Sequence, residues 1–262
     1  ELPTRIVLVY RDVKGERSFG GFIGGAKNLF ADQELDLDKI KLIWPSFSKN
    51  ASCLLLGTIL LASESTRKVV SWSIENAKKN KMNIVIDLNW RPTFWDSSLD
   101  AESPPSEKIC SLIKSFLEQA TFLKLAKEEA IWFFKTSDPK EISKSLSNKP
   151  SVIVTDGAQP IRWSLGKFSG QTEAVSPPLV VDTTGAGDSF TAGIISQLLA
   201  YSFDPKSKID AEQILLYSAA CGALVCGGKG AIDPQPSSSE VHTFLESLEE
   251  DISSTSLPSF DK

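Results

Sequence analysis

The residues of this chain best suited to chemistry form one string, DTTGAGDSF, at residues 182–190. Gly185, Ala186 and Gly187 let backbone N–H groups approach a ligand closely, because none of them carries a large side chain. An apolar pattern at helical spacing follows, and a helix N-terminus offers unpaired N–H groups and a partial positive charge, which predicts an anion site. Asp188 would repel a bound phosphate unless it accepts a proton from a hydroxyl that attacks the phosphorus. The string therefore predicts a phosphoryl-transfer centre.

A simpler alternative is that this string only begins a helix, with Asp188 as the helix cap. The apolar residues 179–181 predict a strand before the string, and Phe190, Ile194 and Leu198 predict a helix after it. For a bare Gly-x-Gly-Asp this simpler alternative would be favoured, and the phosphate site is preferred here because of the family resemblance of the whole string given below.

The elements that must position this string alternate between strands and helices. Strands are predicted at residues 5–10, 17–22, 53–56, 82–88, 121–125, 151–155 and 161–165. The first two form a hairpin around a turn at residues 12–16. Helices are predicted after Ser63, after Pro104-Pro105, at residues 127–134 and at residues 240–250. Alternation of this kind predicts an α/β fold with a parallel sheet covered on both faces.

Composition excludes several function classes. The net charge of −5 and a pI near 5.1 argue against nucleic acid as a partner. The longest apolar run, residues 53–62, is too short to span a bilayer, so no membrane partner is expected. The single histidine, His242, argues against a Ser-His-Asp triad or a histidine metal site. The four cysteines show no metal-binding spacing, and they fit an intracellular, reducing compartment such as the cytoplasm or a plastid.

The string at 182–190 resembles the signature of the ribokinase/PfkB family of carbohydrate kinases. Further stretches resemble the fructokinase-like branch in the same order, up to about residue 250: the opening hairpin and residues 87–91, 124–129, 155–157, 221–224 and 228–232. The resemblance implies a ribokinase-like three-layer α/β/α fold with a mostly parallel sheet and a small β-hairpin lid remnant. It also implies a single kinase domain over residues 1–250 and a loose tail over 251–262.

This resemblance implies ATP-dependent phosphorylation of a sugar hydroxyl. ATP and Mg²⁺ are the expected cofactors, with a monovalent cation as a further candidate. Asp188 would be the base, the amides of Gly185, Ala186 and Gly187 would hold the developing charge, and Arg91 would offset charge on the phosphoryl group. A surface salt bridge is an equal alternative for Arg91.

The remaining site residues come from the same resemblance. Asp87 and Asn89 would bind the acceptor, and Glu129 would orient Mg²⁺ through water, unless it is only a solvated acid in a first helical turn. The nucleotide would contact Thr155, Gly157, Thr183, Thr184, Ala219, Gly222, Gly228 and Gly230. Plain strand exits at 155–157 and close helix packing at 219–223 are the alternatives.

Several positions depart from the family pattern. Ala126 stands where the family usually has Asn or Ser, Pro160 where many members have glycine, and Ala219 where fructokinases often have Asn. The family also begins with a further stretch of roughly a hundred residues that carries its Gly-Gly-x-x-x-Asn sugar motif, and this stretch is not found here. We therefore expect an N-terminally incomplete kinase that binds nucleotide weakly and does not phosphorylate fructose by itself.

The expected partners are a small-molecule sugar and ATP, and a homodimer or a protein partner is a further expectation. The sugar is not specified by this sequence, and fructose is the default from the family alone. Two other functions stay open: a non-catalytic kinase homologue that acts as a scaffold, and a ribokinase-like nucleoside kinase. Asp188 argues against the first of these, whereas Ala126 and the missing sugar-motif stretch argue for it.

Overall fold

The computed structural model of the chain describes residues 2–11, 17–23, 29–100 and 102–255. These residues form two compact units. The first comprises residues 2–11, 17–23, 29–100, 102–156 and 160–171, and the second comprises residues 157–159 and 172–255. The single kinase domain expected from the sequence stays a prediction.

The first unit contains a hairpin and a six-stranded sheet. The hairpin pairs β1 (Ile6–Arg11) with β2 (Arg17–Ile23) in antiparallel fashion. The sheet has the order β3-β4-β5-β6-β7-β8. Its strands are β3 (Cys53–Gly57), β4 (Asn83–Asp87), β5 (Phe122–Ala126), β6 (Ser151–Asp156), β7 (Gln159–Leu165) and β8 (Phe168–Thr172). The first four of these are parallel, so their carboxyl ends meet at one edge of the sheet.

Helices cover the sheet of the first unit. They are α1 (Leu37–Ser48), α2 (Glu64–Lys79), α3 (Pro92–Trp95), α4 (Glu107–Leu117), α5 (Lys127–Phe134) and α6 (Pro139–Ser145). The apolar stripes of α2 and α4 supply Val70, Ile74 and Ile113 to a buried cluster that also contains Ile84 and Ile86 of β4. Burial of β4 on both faces explains its uninterrupted apolar run, as expected for a central parallel strand.

The second unit is built from helices: α7 (Ala186–Ala200), α8 (Lys208–Val225) and α9 (Ser238–Thr255). Small residues bring α7 and α8 close together. A Cβ added at Gly193 would lie 3.0 Å from the Cα of Ser218, and one added at Gly222 would lie 3.1 Å from the carbonyl oxygen of Ala186. In the part of the chain that the structure describes, no helix is both long and apolar enough to cross a membrane.

Most predicted elements are present, with ends shifted by one or two residues. The turn at residues 12–16 lies outside the described residues, as do residues 256–262. Helix α9 continues to Thr255, past the predicted start of the loose tail at 251.

The strand predicted at residues 179–181 is wrong. Leu179 and Val180 are 62% and 51% exposed and belong to no strand. The backbone N–H groups of Val181 and Asp182 instead donate to the same carbonyl, that of Cys226, at 2.8 and 3.1 Å. A short apolar run needs a partner strand to become a strand, and this run pairs with the end of α8.

Candidate active site

The glycine turn of the second unit begins α7 in a conformation that only glycine accommodates. Gly185 is the residue before the helix, with φ of +86° and ψ of −4°. A Cβ at this position would lie 2.9 Å from both the Cα and the Cβ of Ala231. The positive φ and the close approach of a second backbone both require glycine here. The turn is thus packed directly against the loop that carries Ala231.

Asp182 links the glycine turn to that loop. Its side chain is buried, and Oδ1 accepts hydrogen bonds from the backbone N–H of Thr184 at 3.0 Å and from its hydroxyl at 2.7 Å. Oδ2 accepts a hydrogen bond from the backbone N–H of Gly230 at 3.0 Å. No separate role is predicted for Asp182 from the sequence. Its place two residues before Thr184 is the signal of an Asx-turn, which predicts only the local half of this arrangement.

Asp188 and Gly187 are exposed in the first turn of α7. Among the described residues, no side chain or backbone group forms a hydrogen bond or an ion pair with the Asp188 carboxylate. The next residue, Ser189, is buried, and its hydroxyl donates to the carbonyl of Cys221 on α8 at 3.0 Å. This hydrogen bond anchors the buried side of the first turn to α8, while the Asp188 carboxylate and Gly187 lie on its exposed side. This arrangement leaves the carboxylate accessible to a proton donor of a bound ligand.

The other predicted nucleotide residues of the second unit have structural partners. The carbonyl of Thr183 accepts a hydrogen bond from the N–H of Ala186 at 3.3 Å. Gly222 packs against α7, as the close-packing alternative predicts, and Ala219 is buried. A Cβ at Gly228 would lie 2.4 Å from the Cβ of Pro234, so this loop turns back on itself too closely for any side chain.

Two charged residues meet at the carboxyl edge of the sheet in the first unit. Asp87 ends β4 and stands opposite Lys124 of β5 in the strand register. The Lys124 ammonium donates to both oxygens of Asp87, at 3.0 and 3.2 Å, and both side chains are about one-tenth exposed, at 12% and 11%. The pair neutralises two charges at the sheet edge that would be costly to bury singly.

Glu129 holds the exits of β4 and β5 together. Its side chain is buried in the first turn of α5. One carboxylate oxygen accepts a hydrogen bond from the N–H of Trp90 at 2.6 Å, and the other accepts from the N–H of Ala126 at 2.7 Å. Burial raises the pKa of this carboxyl, and the hydrogen bonds from Ala126 and Trp90 oppose that shift. Asn89, just before Trp90, has φ of +47°, a left-handed conformation that Asn tolerates well.

Arg91 lies at the end of this turn, immediately before α3, and is exposed. Its guanidinium donates to the carbonyl of Trp90 at 2.8 Å. Within the described ranges it forms no ion pair, so the geometry does not show the predicted alternative of a surface salt bridge. The charge of Arg91 is therefore available to a ligand.

Thr155 and Gly157 lie at the end of β6. Thr155 is half-buried, and Gly157 is exposed in the tight turn to β7 with φ of +56°. The neighbouring Asp156 accepts a hydrogen bond from the Lys127 ammonium at 2.7 Å. A strand exit of this kind lets backbone pass close to a ligand, and it is equally the geometry of an ordinary hairpin turn.

The described residues contain no group of three or more His, Cys, Asp or Glu side chains placed to hold a metal ion.

Comparisons with known sequences agree with the motifs. A model of the pfkB family of carbohydrate kinases matches residues 1–238. The probable chloroplastic fructokinase-6 of Arabidopsis thaliana is 31% identical over 247 residues, which cover 92% of this chain and 60% of that protein. A fructokinase of Vibrio alginolyticus is 26% identical over 249 residues, which cover 94% of this chain and 74% of that protein. The chain thus spans about three-fifths to three-quarters of these relatives.

Solved structures share the fold. The fructokinase of Xylella fastidiosa with bound ATP matches with a TM-score of 0.76 and 24% identity, over 95% of this chain and 75% of that one. The fructokinase of Vibrio cholerae O395, solved with fructose, ADP and calcium ion, matches with a TM-score of 0.70 and 23% identity, over 94% of this chain and 75% of that one. These matches confirm the ribokinase-like α/β fold with a mostly parallel sheet and a small N-terminal hairpin.

Proposed function

Because this chain belongs to the pfkB family of carbohydrate kinases, in its fructokinase-like branch, we propose that it supplies the phosphoryl-transfer centre of an ATP-dependent sugar kinase. The observation that carries the proposal is the glycine turn. Gly185 is the residue immediately before α7, and its backbone forms the turn from which the helix starts. Asp188 lies exposed in the first turn of that helix, and its carboxylate has no partner among the described residues. A helix N-terminus beside a free carboxylate combines an anion site with a base.

In the proposed reaction the Asp188 carboxylate accepts the proton of the acceptor hydroxyl. The hydroxyl oxygen forms a bond to the γ-phosphorus of ATP, and the bond from that phosphorus to the β,γ-bridging oxygen breaks, so that ADP leaves with the electron pair. The amides of Gly185, Ala186 and Gly187 are proposed to stabilise the charge that develops on the phosphoryl oxygens, the Ala186 N–H in addition to its 3.3 Å hydrogen bond to the Thr183 carbonyl. Arg91 offers a further positive charge to the same group.

We assign the nucleotide and the acceptor to residues at the glycine turn and at the strand exits. Thr183, Thr184 and Gly230 border the glycine turn, and we propose them for the phosphates, with the N–H groups of Thr184 and Gly230 held in place by Asp182. Thr155 and Gly157 are proposed for the nucleotide and Asn89 for the acceptor. The remaining candidates, Asp87, Ala219, Gly222 and Gly228, make contacts within their own unit that account for them, so a direct ligand contact from any of these is the weaker assignment.

Mg²⁺ fits a site of this kind because it is usually held by one or two carboxylates and by substrate phosphates. The lack of a carboxylate cluster in the described residues agrees with a metal held mainly by the nucleotide. Both oxygens of Glu129 already accept backbone hydrogen bonds, so Glu129 would act on the metal only through water. When bound, Mg²⁺ supplies charge neutralisation at the β- and γ-phosphates. A monovalent cation is a second candidate ion.

Fructose is the acceptor we propose, because the relatives are named fructokinases and one structural neighbour was solved with fructose. We also propose an intracellular, reducing compartment, either the cytoplasm or a plastid. The four cysteines form no disulfide, and one relative is named chloroplastic. The expected homodimer can be tested by light scattering, which measures the molar mass of the purified chain, and an expected protein partner by the same measurement on a mixture of the two.

The test has two arms. In the first, the 262-residue chain is titrated calorimetrically with a non-hydrolysable ATP analogue and Mg²⁺, and we expect binding. In the second, ADP release is measured with fructose, other hexoses, ribose and nucleosides, both on this chain, where no turnover with fructose is expected, and on the chain joined to its native upstream sequence, where turnover should be greatest with fructose. Turnover with nucleosides alone would overturn the sugar assignment. Absence of both binding and turnover would indicate a non-catalytic homologue.

A further inference from the structure

The guanidinium of Arg5, at the base of the β1–β2 hairpin, is enclosed by three aromatic rings and one carboxylate. Its Cζ lies 4.5, 4.2 and 4.6 Å from the ring centroids of Phe22, Phe30 and Phe94. Its Nε and Nη2 donate to the Asp32 carboxylate at 3.0 to 3.3 Å. The Arg5 side chain is only 8% exposed. We call these five residues the arginine cage.

The cage joins parts of the first unit that are distant in sequence. Phe22 belongs to β2, Phe30 immediately precedes the 3-10 turn Ala31–Gln33, which contains Asp32, and Phe94 belongs to α3. The Phe22 ring meets the Phe94 ring edge-on, with centroids 5.0 Å apart. The hairpin and α3 therefore touch through the cage.

One wall of the cage is anchored to the core. The hydroxyls of Ser63 and Ser65, at the start of α2, donate to the carbonyl of Gln33 at 2.5 and 2.7 Å. The Gln33 side chain accepts a hydrogen bond from the N–H of Phe30 at 2.8 Å, and Phe30 is 1% exposed. The 3-10 turn is thus a fixed support, and Arg5 holds the hairpin and α3 against it.

Only arginine satisfies this environment. Its planar guanidinium stacks on aromatic faces and presents paired N–H groups to a carboxylate at the same time, whereas a lysine ammonium is a compact point charge. Asp32 compensates the buried positive charge, which would otherwise be costly. Arg5 therefore carries a specific geometric task, beyond filling space.

We propose that Arg5 is a positioning residue that couples the β1–β2 hairpin to α3, and through α3 steadies Arg91, which immediately precedes that helix. The coupling stands on the contacts within the first unit, and only the task of Arg91 rests on the proposed function. A measurement of the coupling that needs no catalysis therefore separates failure of this inference from failure of the proposed kinase activity.

The test is amide hydrogen exchange on the full chain, compared between the wild type, Arg5→Lys and Phe94→Leu. Each substitution should speed exchange about tenfold in β1 and β2. It should do so also at the N–H of Phe94, which donates to the carbonyl of Arg91, and at the N–H of Asp96, which donates to the carbonyl of Pro92. The amides of β4 and β5 should not change. Phe94→Leu tests the coupling more directly, because the substitution lies in α3 whereas the exchange is measured in the β1–β2 hairpin. Since it keeps most of the apolar volume, it also serves if Arg5→Lys does not fold.

Matched controls are Arg67→Lys and Phe134→Leu. Arg67 donates to a single backbone carbonyl, that of Leu61 at 2.7 Å, and the Phe134 ring faces the Lys114 ammonium at 5.5 Å. Neither residue belongs to the cage, so neither substitution should change exchange in the hairpin.

A double-mutant cycle completes the test. If Arg5 and Phe94 act through each other, the two substitutions together should speed hairpin exchange by less than the product of their separate factors. Multiplicative factors, or equal acceleration in β4 and β5, would overturn the inference, because they would indicate independent or merely global destabilisation. Unchanged exchange in either the hairpin or α3 would overturn it as well.

Discussion

The backbone N–H of Trp90 donates a hydrogen bond of 2.6 Å to the carboxylate of Glu129, 39 residues further along the chain. The second oxygen of the same carboxylate accepts from the N–H of Ala126. The buried Glu129 side chain therefore links the carboxyl ends of the adjacent parallel strands β4 and β5. Because Trp90 lies between Asn89 and Arg91, this carboxylate also fixes the segment proposed to meet the acceptor and the phosphoryl group.

Replacement of Glu129 by Gln should destabilise the fold by about 1–3 kcal/mol. The Gln amide oxygen can accept one of the two backbone hydrogen bonds, but its NH₂ group cannot accept the other, which leaves a buried donor unpaired. The free energy of unfolding in urea measures the loss. Glu128→Gln is the matched control, because Glu128 is exposed in the same helical turn. Equal stability of the two variants would show that the Glu129 hydrogen bonds contribute nothing net.

The stability conferred by Glu129 should depend on pH. Burial raises its pKa in the folded state above the ordinary value of 4.5, so the folded protein binds the proton more tightly than the unfolded chain. The contribution is therefore complete below the ordinary pKa and decreases as pH rises through the folded pKa. The difference in unfolding free energy between wild type and Glu129→Gln should shift against the wild type as pH increases above about 4.5. A shift in its favour would contradict this assignment.

The Asp87–Lys124 ion pair should contribute far more to the free energy of unfolding than the Lys127–Asp156 ion pair. Lys124→Met removes the ammonium that donates to both oxygens of the buried Asp87 carboxylate, which should cost about 3 kcal/mol. Lys127→Met breaks an ion pair whose side chains are 44% and 26% exposed, and it should cost about 1 kcal/mol or less. Chemical denaturation of both variants tests the ranking, and similar losses would mean that the sheet-edge pair is not buried in solution.

The two glycines of the turn should respond differently to substitution. Gly185→Ala should lower stability by at least about 1 kcal/mol, because its φ is positive and its Cβ would press on Ala231. Gly187 is exposed, so Gly187→Val should leave the melting temperature nearly unchanged. It should weaken binding of an ATP analogue about 10- to 100-fold, since the branched side chain blocks backbone access to the phosphates. Unchanged affinity in Gly187→Val would mean that the turn only begins a helix.

Local sequence signals predicted the parts of the fold that local physics determines. Helix α5 begins and ends at the predicted residues, and Ser63 stands at the predicted start of α2. The hydroxyl of Ser63, however, donates to Gln33 rather than to its own helix. Helix α1 was not predicted, because Pro45 interrupts its pattern, although Asp36 caps it by accepting from the N–H groups of Asp38 and Lys39.

Contacts between distant residues explain what the sequence did not predict. The bond from Gly230 to Asp182 spans 48 residues, and the pairing of residues 181 and 182 with Cys226 replaces the strand that an apolar run favoured. Glu129 likewise has the local spacing of a first-turn acid, and only the fold brings Trp90 to it. Pattern identifies such residues as candidates, whereas their partners depend on tertiary structure.

The proposed base is tested most directly by Asp188→Asn, which keeps the size of the side chain and removes its ability to take a proton. Asp204→Asn is the control, since Asp204 is exposed beyond the other end of α7 and is paired with Lys206. The measurement is the rate of ADP release with the best acceptor, in any preparation that shows turnover, together with the affinity for an ATP analogue. Asp188→Asn should lower turnover by about 10²- to 10⁴-fold, with little loss of nucleotide affinity and with Asp204→Asn unaffected. Turnover near the wild-type rate in Asp188→Asn would contradict the assignment of the glycine turn as the phosphoryl-transfer centre.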